Sequence, residues 1–312
     1  MSNNKEIVIT SAFRTAIGSF GGTLSAMPAS QLGSEVIKKC LEHSELKGKD
    51  VDTVFMGQVL QAGTGQNPAR QAAMGAGIPN ETISSTINQL CASGLTSVGY
   101  AYNSILLGEA NIAVAGGQEN MSSSPHAMML RNGVKMGTGS LEDTMLKDGL
   151  TCAFNNYHMG ITAENVAEKF QIRREEQDTF AASSQRKAME AIKANKFKDE
   201  IVPIKVKVKK DEITFDTDEY PKDGVTVEKL AKLRPAFKKD GTVTAGNASG
   251  INDGAAALVL MTAEEAKKRD IQPLAKIVSW AVCGVDPSIM GTGPIPASKK
   301  ALDKAGWGED QL

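Results

Sequence analysis

Cys91 is the residue of this sequence best placed to do chemistry, because it stands where an apolar strand breaks sharply before a helix. The break reads Cys91-Ala92-Ser93-Gly94 and lies inside the segment 82–117. A thiol at the mouth of a helix meets free backbone N–H groups and the positive end of the helix dipole, and both favour its negatively charged form. The alternative is a small cysteine that only packs. We interpret Cys91 as a nucleophile that still requires a general base.

The residues after this break predict a helix followed by a second strand. Gly108 ends the predicted helix, as glycine commonly does at a C-terminal cap, and residues 112–115 form a short apolar strand. The apolar residues that recur at helical spacing are Leu95, Val98, Tyr102, Ile105 and Leu106. The segment 82–117 is therefore expected to fold as one βαβ unit with Cys91 at its turn.

The other elements predict an α/β fold around this unit. A helix is expected over residues 30–42 with Ser30 as its N-cap, and another begins at Asn67-Pro68, where asparagine caps and proline takes the first helical position. Strands that alternate with helices at this spacing favour a mostly parallel sheet with helices on its faces. The remaining expected strands are 6–10, 51–59, 201–208, 255–261 and 274–282, and the remaining expected helices are 162–170, 174–195 and 296–304.

Residues 118–157 differ from the rest of the chain, because they are rich in Ser, Met, Gly and Asn and show no clear period. Long irregular loops are uncommon in compact domains unless they bind something. We therefore expect an N-terminal α/β half built from residues 1–117 and 245–272, with an inserted loop and binding subdomain at 118–244. A second α/β half is expected to start at 273–312.

The charge of the chain excludes several classes of partner. Its 35 basic and 36 acidic residues nearly cancel, so no global field favours nucleic acid or an anionic membrane. No apolar run approaches the ~18 residues of a membrane helix, and the start, MSNNKEIVIT, lacks the apolar core of a signal peptide. We expect a cytoplasmic protein.

The strand expected at 201–208 and the two residues after it carry four lysines, which either contact an anionic ligand or form a solvated strand face. They are Lys205, Lys207, Lys209 and Lys210.

The cysteines and glycines exclude further kinds of site. Cys40, Cys91, Cys152 and Cys283 show no CxxC pairing, which argues against a zinc site or a disulfide framework, and no metal is expected. The sequence contains neither a GxGxxG that opens a helix after a strand nor a GKS or GKT phosphate loop, so dinucleotide and nucleoside triphosphate chemistry are not expected.

Five motifs occur in an order that resembles the thiolase family, and the resemblance extends from Ile7 to the last residue. It implies a layered αβαβα fold and acetyl transfer between thioesters, in which two molecules of acetyl-CoA condense reversibly to acetoacetyl-CoA and coenzyme A. It implies no cofactor beyond these coenzyme A thioester substrates, and a homodimer or homotetramer. The motifs are NQLCASGL around Cys91, NNYHMGITAEN at 155–165, KLRPAF at 232–237, TVTAGNASGINDGAA at 242–256 and GTGPIPA at 291–297.

The resemblance also implies roles for individual residues. Cys91 matches the cysteine that takes the acetyl group as a thioester. His158 matches a histidine that lines the pocket near that thioester, with a packed or surface histidine as the alternative. Met159 and Met290 resemble the apolar lining that keeps the acyl pocket short, with core packing as the alternative. The residues that resemble coenzyme A contacts are Ser249 on the pantetheine arm, Ala245, Phe237 and Leu150, and Lys222 near the nucleotide end, where an exposed lysine is the alternative.

The chain departs from the family pattern in its last part. Thiolases carry an NEAF motif, a GHP histidine that activates the nucleophile and a CxG cysteine that acts on the substrate carbon, and none of these occurs in the 312 residues. The resemblance therefore implies a thiolase that lacks the C-terminal part, and it puts the activity of this chain alone in question. A non-catalytic protein that binds coenzyme A or acyl groups is the alternative, and a ketosynthase is a weaker one because HMGITAEN does not belong to that class.

Overall fold

The computed structural model describes residues 5–131, 133–208 and 210–312. Their contacts divide the chain into two compact units, each assembled from three segments. The first unit contains the described residues of Met1–Gly149, Phe197–Tyr220 and Ile251–Ile277, and the second contains Leu150–Lys196, Pro221–Gly250 and Val278–Leu312. The three-part division expected from the sequence stays a prediction.

The strands and helices are numbered here in chain order. The strands are β1 (Ile7–Thr15), β2 (Gly18–Ser19), β3 (Thr53–Gly57), β4 (Ile83–Ile87), β5 (Ile112–Asn120), β6 (His126–Ala127), β7 (Glu142–Asp143), β8 (Ile201–Val202), β9 (Ile204–Val208), β10 (Asp211–Phe215), β11 (Asn252–Thr262) and β12 (Ala275–Lys276). The α-helices are α1 (Ala29–His43), α2 (Pro68–Gly75), α3 (Ser93–Leu107), α4 (Met159–Lys169), α5 (Arg174–Lys193), α6 (Val227–Leu230), α7 (Ala263–Lys268) and α8 (Pro294–Ala305). Shorter 3₁₀ or π turns cover Gly48–Asp50, Met145–Leu150, Pro287–Thr292 and Glu309–Gln311.

The main sheet of the first unit has the strand order β12-β1-β11-β5-β3-β4. The strands β5, β3 and β4 run parallel to one another, whereas β11 pairs antiparallel with both β5 and β1. The expectation of a mostly parallel sheet was therefore wrong, and the sheet is mixed. The parallel part matches the predicted βαβ unit, since β4, α3 and β5 follow one another in the chain.

Alternation along the strands sorts the side chains of the first unit onto two faces. In β5, Ile112 and Val114 belong to a core shared with α1 and α2, whereas Ala113 and Ala115 belong to a second core with Ala101 of α3. Successive strand side chains point to opposite faces, so this alternation is what a strand covered on both sides requires. The helices α1 and α2 therefore pack on one face of the sheet and α3 on the other.

Several elements differ from the sequence-based expectation in their ends. The helix α1 begins at Ala29 and its N-cap is Pro28, so Ser30 is not the cap; its hydroxyl lies 3.2 Å from the Gln71 side-chain oxygen. The helix α4 begins at Met159 instead of residue 162, because the His158 side chain caps it. The strand expected at 274–282 is reduced to β12. The cap at Asn67 and the C-terminal Gly108 are confirmed.

The strand β5 is longer than expected and continues to Asn120, since it pairs with β11 as far as Asp253. The hairpin of β9 and β10 keeps the predicted half-exposed pattern: Lys205 and Lys207 are exposed, and Lys205 pairs with Glu212 at 3.2 Å. Lys210 is exposed, and Lys209 lies outside the described residues. In the part of the chain that the structure describes, no helix is long and apolar enough to cross a membrane.

Candidate active site

Cys91 is exposed and lies directly before Ala92, the residue that precedes the first turn of α3. The preceding residue, Leu90, has φ of 50°, a backbone conformation that non-glycine residues seldom adopt. The Ser93 hydroxyl holds this turn, because it donates to the Leu90 carbonyl at 2.6 Å and accepts from the Gln89 N–H at 2.9 Å. The structure thus places Cys91 at the helix mouth, as the sequence predicted, on a turn fixed by its neighbours.

Three glycines allow the N-terminus of α3 to approach the sheet. A Cβ added at Gly57 would lie 2.5 Å from the backbone carbon of Ser93, and one at Gly117 would lie 3.2 Å from the Cα of Gly94. Ser97 fixes the same approach, since its hydroxyl donates to the Gly116 carbonyl at 2.7 Å and accepts from the Gly116 N–H at 3.0 Å. The first turn of α3 therefore packs backbone against backbone.

Glu119 fixes the chain that leaves β3 beside this turn. Its carboxylate accepts from the N–H groups of Val59 at 2.8 Å and Leu60 at 3.0 Å. Burial raises the pKa of Glu119, and these two N–H donors oppose the rise. Sequence reasoning gave no role to Glu119 or Gly57, because their contacts depend on which strands become neighbours.

His158 occupies the N-cap of α4 in the second unit. Its Nδ1 accepts from the Gly160 N–H at 2.9 Å, and its ring stacks on Phe237 with centroids 4.7 Å apart at 18°. Burial lowers the pKa of His158, which favours the neutral ring. With Nδ1 as the acceptor, the neutral ring carries its proton on Nε2, so that a donor remains for a ligand. Gly160 is required here, because a Cβ would collide with the Phe237 ring.

Met159 and Met290 are the apolar residues predicted for the acyl pocket, and Leu150 is an apolar residue predicted to contact coenzyme A. Met159 is the first residue of α4 and is half-buried, while Leu150 is half-buried at the end of the π turn. Met290 is 37% exposed. Asn165 of α4 fixes the turn that carries Met290, because its amide donates to the Ser288 carbonyl at 2.8 Å. Sequence reasoning had not singled out Asn165.

The residues predicted to contact coenzyme A differ in their surroundings. Ala245 and Ser249 are exposed, and the Ser249 hydroxyl lies 3.3 Å from its neighbouring carbonyl at Gly250. Lys222 is exposed, and its backbone N–H donates to Gln185 at 2.8 Å. The second unit thus brings His158 and Phe237 into contact, and Lys222 lies in the same segment of that unit as Phe237. Two further buried carboxylates, Glu164 and Asp178, hold the loop that bears Ala245.

The other cysteines are less accessible than Cys91. Cys40 is buried, its thiol donates to the Ala257 carbonyl at 3.1 Å, and burial raises its pKa to about 12. Cys152 is buried as well, and backbone N–H donors, that of Asn155 first, lower its pKa. Cys283 is half-buried. Within the described ranges, no group of three or more His, Cys, Asp or Glu side chains is arranged to hold a metal ion.

Comparison with known proteins identifies relatives over almost the whole chain. The model of the thiolase N-terminal domain matches residues 7–264, and that of the thiolase C-terminal domain matches residues 271–312. An acetyl-CoA acetyltransferase of Rhizobium meliloti (strain 1021) is 60% identical over 305 residues, which are 98% of this chain and 78% of the relative. One of Shinella zoogloeoides is 59% identical over 301 residues, or 96% of this chain and 76% of the relative.

A solved structure gives the same result for the fold. The crystal structure of the Bacillus anthracis acetyl-CoA acetyltransferase superposes with a TM-score of 0.96 at 44% identity, and covers 99% of this chain and 78% of that one. The thiolase-like α/β fold expected from the sequence is thereby confirmed. The matched domains, the identity to the relatives and the fold lead to one conclusion: this chain belongs to the thiolase family.

Proposed function

We propose that this chain is an acetyl-CoA acetyltransferase that condenses two molecules of acetyl-CoA reversibly to acetoacetyl-CoA and coenzyme A. The observation that carries the proposal is the exposed thiol of Cys91 on a fixed turn directly before α3. Relatives of 55–60% identity that are named acetyl-CoA acetyltransferases support the same activity, and they do not favour a protein that only binds coenzyme A.

Cys91 suits both halves of this reaction because a thiolate is a good nucleophile and a good leaving group. In the first half its sulfur attacks the acetyl carbonyl, a bond from carbon to the Cys91 sulfur forms, and coenzyme A leaves with the proton that the thiol has lost. In the second half a base removes a proton from the methyl group of another acetyl-CoA. The resulting carbanion attacks the acetyl-cysteine, a carbon–carbon bond forms, and the Cys91 sulfur leaves and is protonated again.

The backbone around Cys91 suits the negative charge that develops on the carbonyl oxygen. Cys91 lies directly before Ala92 at the mouth of α3, and its backbone N–H is the donor that we propose for this oxygen. The first turn of α3 adds the positive end of its dipole. Removal of one donor of this kind typically lowers the rate by a factor of roughly 10²–10³. The fixed turn at Leu90 and Cys91 therefore contributes to the rate by holding this donor in position.

The second unit offers the groups that would bind coenzyme A. The exposed small residues Ala245 and Ser249 allow a pantetheine arm to approach the backbone closely, and the exposed Lys222 supplies a cation for the nucleotide end. The His158 and Phe237 pair offers a flat apolar surface with one N–H donor. Leu150 is proposed as a further contact of coenzyme A, and the apolar residues proposed to line the acyl pocket are Met159 and Met290.

The test is the intact mass of the purified chain after incubation with acetyl-CoA, beside the Cys91→Ala variant. We expect a single acetyl adduct in the wild type, none in the variant, and release of the adduct by free coenzyme A. A Cys283→Ala variant is the matched control and is expected to acetylate like the wild type. An absent adduct in a chain that still binds coenzyme A would contradict catalysis and select the binding protein. The homo-oligomer and the cytoplasmic location stay predictions.

A further inference from the structure

Glu164 is a buried carboxylate that grips one end of the loop 242–250. Both of its oxygens accept from the Thr242 N–H at 2.9 Å, and the carboxylate also accepts from the Thr242 hydroxyl at 3.0 Å and the Val243 N–H at 2.8 Å. Glu164 is only 4% exposed. Gly241 lies so close that a Cβ there would collide with the carboxylate. The hydrogen bonds from Thr242 and Val243 to the Glu164 carboxylate therefore hold the backbone at this end of the loop.

Asp178 grips the middle of the same loop from α5. One of its oxygens accepts from the Asn247 amide at 2.9 Å, and the other accepts from Arg174 Nε at 2.7 Å. Asn247 then closes the loop on itself, since its side-chain oxygen accepts from the Thr244 N–H at 2.7 Å and its amide donates to the Thr242 carbonyl at 3.1 Å. Asp178 is 1% exposed, and its carboxylate joins the loop to Arg174 of α5.

The contacts of Glu164 and Asp178 lie on the buried side of the loop 242–250, and the other side of the loop is exposed to solvent. Thr244 and Val243 are buried, whereas Ala245 and Ser249 are exposed. Burial of a carboxylate is costly unless hydrogen bonds satisfy it, so a broken loop contact leaves Glu164 without the donors named above and leaves Asp178 with Arg174 but without the Asn247 amide. A loop fixed before its ligand arrives loses less conformational freedom on binding. The arrangement therefore favours a preorganised binding loop.

We propose that Glu164 and Asp178 are positioning residues that hold the loop 242–250 in the conformation that binds the pantetheine arm of coenzyme A. Neither carboxylate touches the ligand, and both act through the backbone that they fix. The inference rests on the proposed function for the identity of the ligand. It predicts that loss of either grip weakens the binding of coenzyme A while the thiol of Cys91 keeps its reactivity.

The test compares Glu164→Gln and Asp178→Asn with two matched controls, Glu168→Gln on α4 and Glu190→Gln on α5. Both control carboxylates are exposed and make surface ion pairs, with Lys238 at 3.3 Å and Arg186 at 3.0 Å. We expect the dissociation constant of coenzyme A, measured by calorimetry, to rise roughly tenfold in the two test variants and to stay within twofold in the controls. Hydrogen exchange of the residues 242–250 should quicken in the test variants alone.

A second readout separates positioning from a general loss of structure. The rate at which iodoacetamide alkylates Cys91 should stay unchanged in all four variants. A further variant, Asn247→Ala, breaks the contact between Asp178 and the loop but keeps the buried charge of Asp178. It should weaken the binding of coenzyme A as Asp178→Asn does. If Glu164→Gln or Asp178→Asn does not fold, Asn247→Ala together with exchange of the loop decides the question.

The outcomes for this inference and for the proposed function are distinguishable. Unchanged loop exchange and unchanged coenzyme A affinity in the variants would overturn the positioning role even if Cys91 becomes acetylated. A wild-type chain that binds coenzyme A but is not acetylated would contradict the proposed catalysis and leave the positioning role decided by the variants. A wild type that does not bind coenzyme A would overturn both.

Discussion

At the scale of single residues, the surroundings of the cysteines predict a clear order of reactivity. Cys91 is exposed, whereas Cys40 is buried with a pKa raised to about 12 by that burial. The thiolate is the reactive form, so an inaccessible thiol that hardly ionises should react last. We expect iodoacetamide at neutral pH to alkylate Cys91 first and Cys40 last, as measured by peptide mass spectrometry of timed samples. Equal rates at the two positions would show that this picture of the turn is wrong.

The lowered pKa of His158 predicts that the protein loses stability as the pH falls. Because burial lowers the folded-state pKa, the unfolded chain binds the proton more readily. The stability that His158 contributes is present above the ordinary histidine pKa of about 6.5 and is lost as the pH falls through the lower folded value. Protonation of Nδ1 would also remove the acceptor for the Gly160 N–H, so acid should weaken the start of α4.

The variant His158→Asn tests this prediction, because asparagine keeps a side-chain acceptor for the N-cap and does not titrate. We expect urea unfolding to show a smaller loss of stability for His158→Asn than for the wild type as the pH falls from about 8 to about 5. His158→Ala should be less stable than His158→Asn at every pH, by about 1 kcal/mol for the lost cap. Parallel pH profiles for the wild type and His158→Asn would rule out the proposed titration.

At the scale of elements, the close approach of Gly57 to α3 predicts that the position of the Cys91 turn depends on how α3 packs against the sheet. A Cβ at Gly57 would lie 2.5 Å from Ser93 C and 2.6 Å from Gly94 N, and both of these are backbone atoms that cannot rotate away. We expect Gly57→Ala to destabilise the protein by about 1–3 kcal/mol in urea unfolding and to displace the turn. Acetylation of Cys91 should therefore slow.

A matched glycine separates this effect from a general cost of substitution. Gly284 has open space around the position of its Cβ, so Gly284→Ala should change stability by no more than about 0.5 kcal/mol. Acetylation of Cys91 should be normal in Gly284→Ala. If Gly57→Ala acetylates as fast as Gly284→Ala, the close approach of Gly57 to the turn does not matter for chemistry.

The elements also show which features are readable from sequence. The helix α3 and its end at Gly108 were predicted because periodicity and a glycine cap are local signals. The N-cap of α1 is Pro28 and not Ser30, and no side-chain hydrogen bond caps that helix. The contacts of Glu164 with Thr242 and Val243 span 78 and 79 residues, and no local pattern encodes them. The motifs predicted that the loop 242–250 binds coenzyme A, but only the fold shows which residues hold this loop.

The mixed sheet was missed for the same reason. The strand β11 lies between β1 and β5 and pairs antiparallel with both, although about 240 residues separate it from β1. Alternation of strands and helices in the first part of the chain predicts parallel neighbours, because it contains no information about a strand that returns much later. A sequence pattern predicts whether a segment is a strand or a helix more securely than it predicts which strands become neighbours in the sheet.

At the scale of the whole chain, Arg14 and Asp218 fix a distant segment within the first unit. Arg14 donates to both oxygens of Asp218, at 2.7 Å and 3.0 Å, and the Ile17 N–H donates to Asp218 at 2.8 Å. The Asp218 side chain is 6% exposed and that of Arg14 is 21% exposed. Two parallel hydrogen bonds between a guanidinium and a carboxylate give a rigid, oriented contact. This contact ties the segment Phe197–Tyr220 to the end of β1.

Asp218→Asn is therefore expected to destabilise the protein by about 1–3 kcal/mol, since its amide would face donors from Arg14 and Ile17. Urea unfolding measures the loss, and hydrogen exchange should locate it in Phe197–Tyr220. Asp223→Asn is the control, because Asp223 and its partner Lys193 are exposed, with side-chain exposures of 66% and 62%; loss of such a surface pair should leave the unfolding curve almost unchanged. Equal effects of the two variants would mean that the Asp218 carboxylate does not hold the segment Phe197–Tyr220.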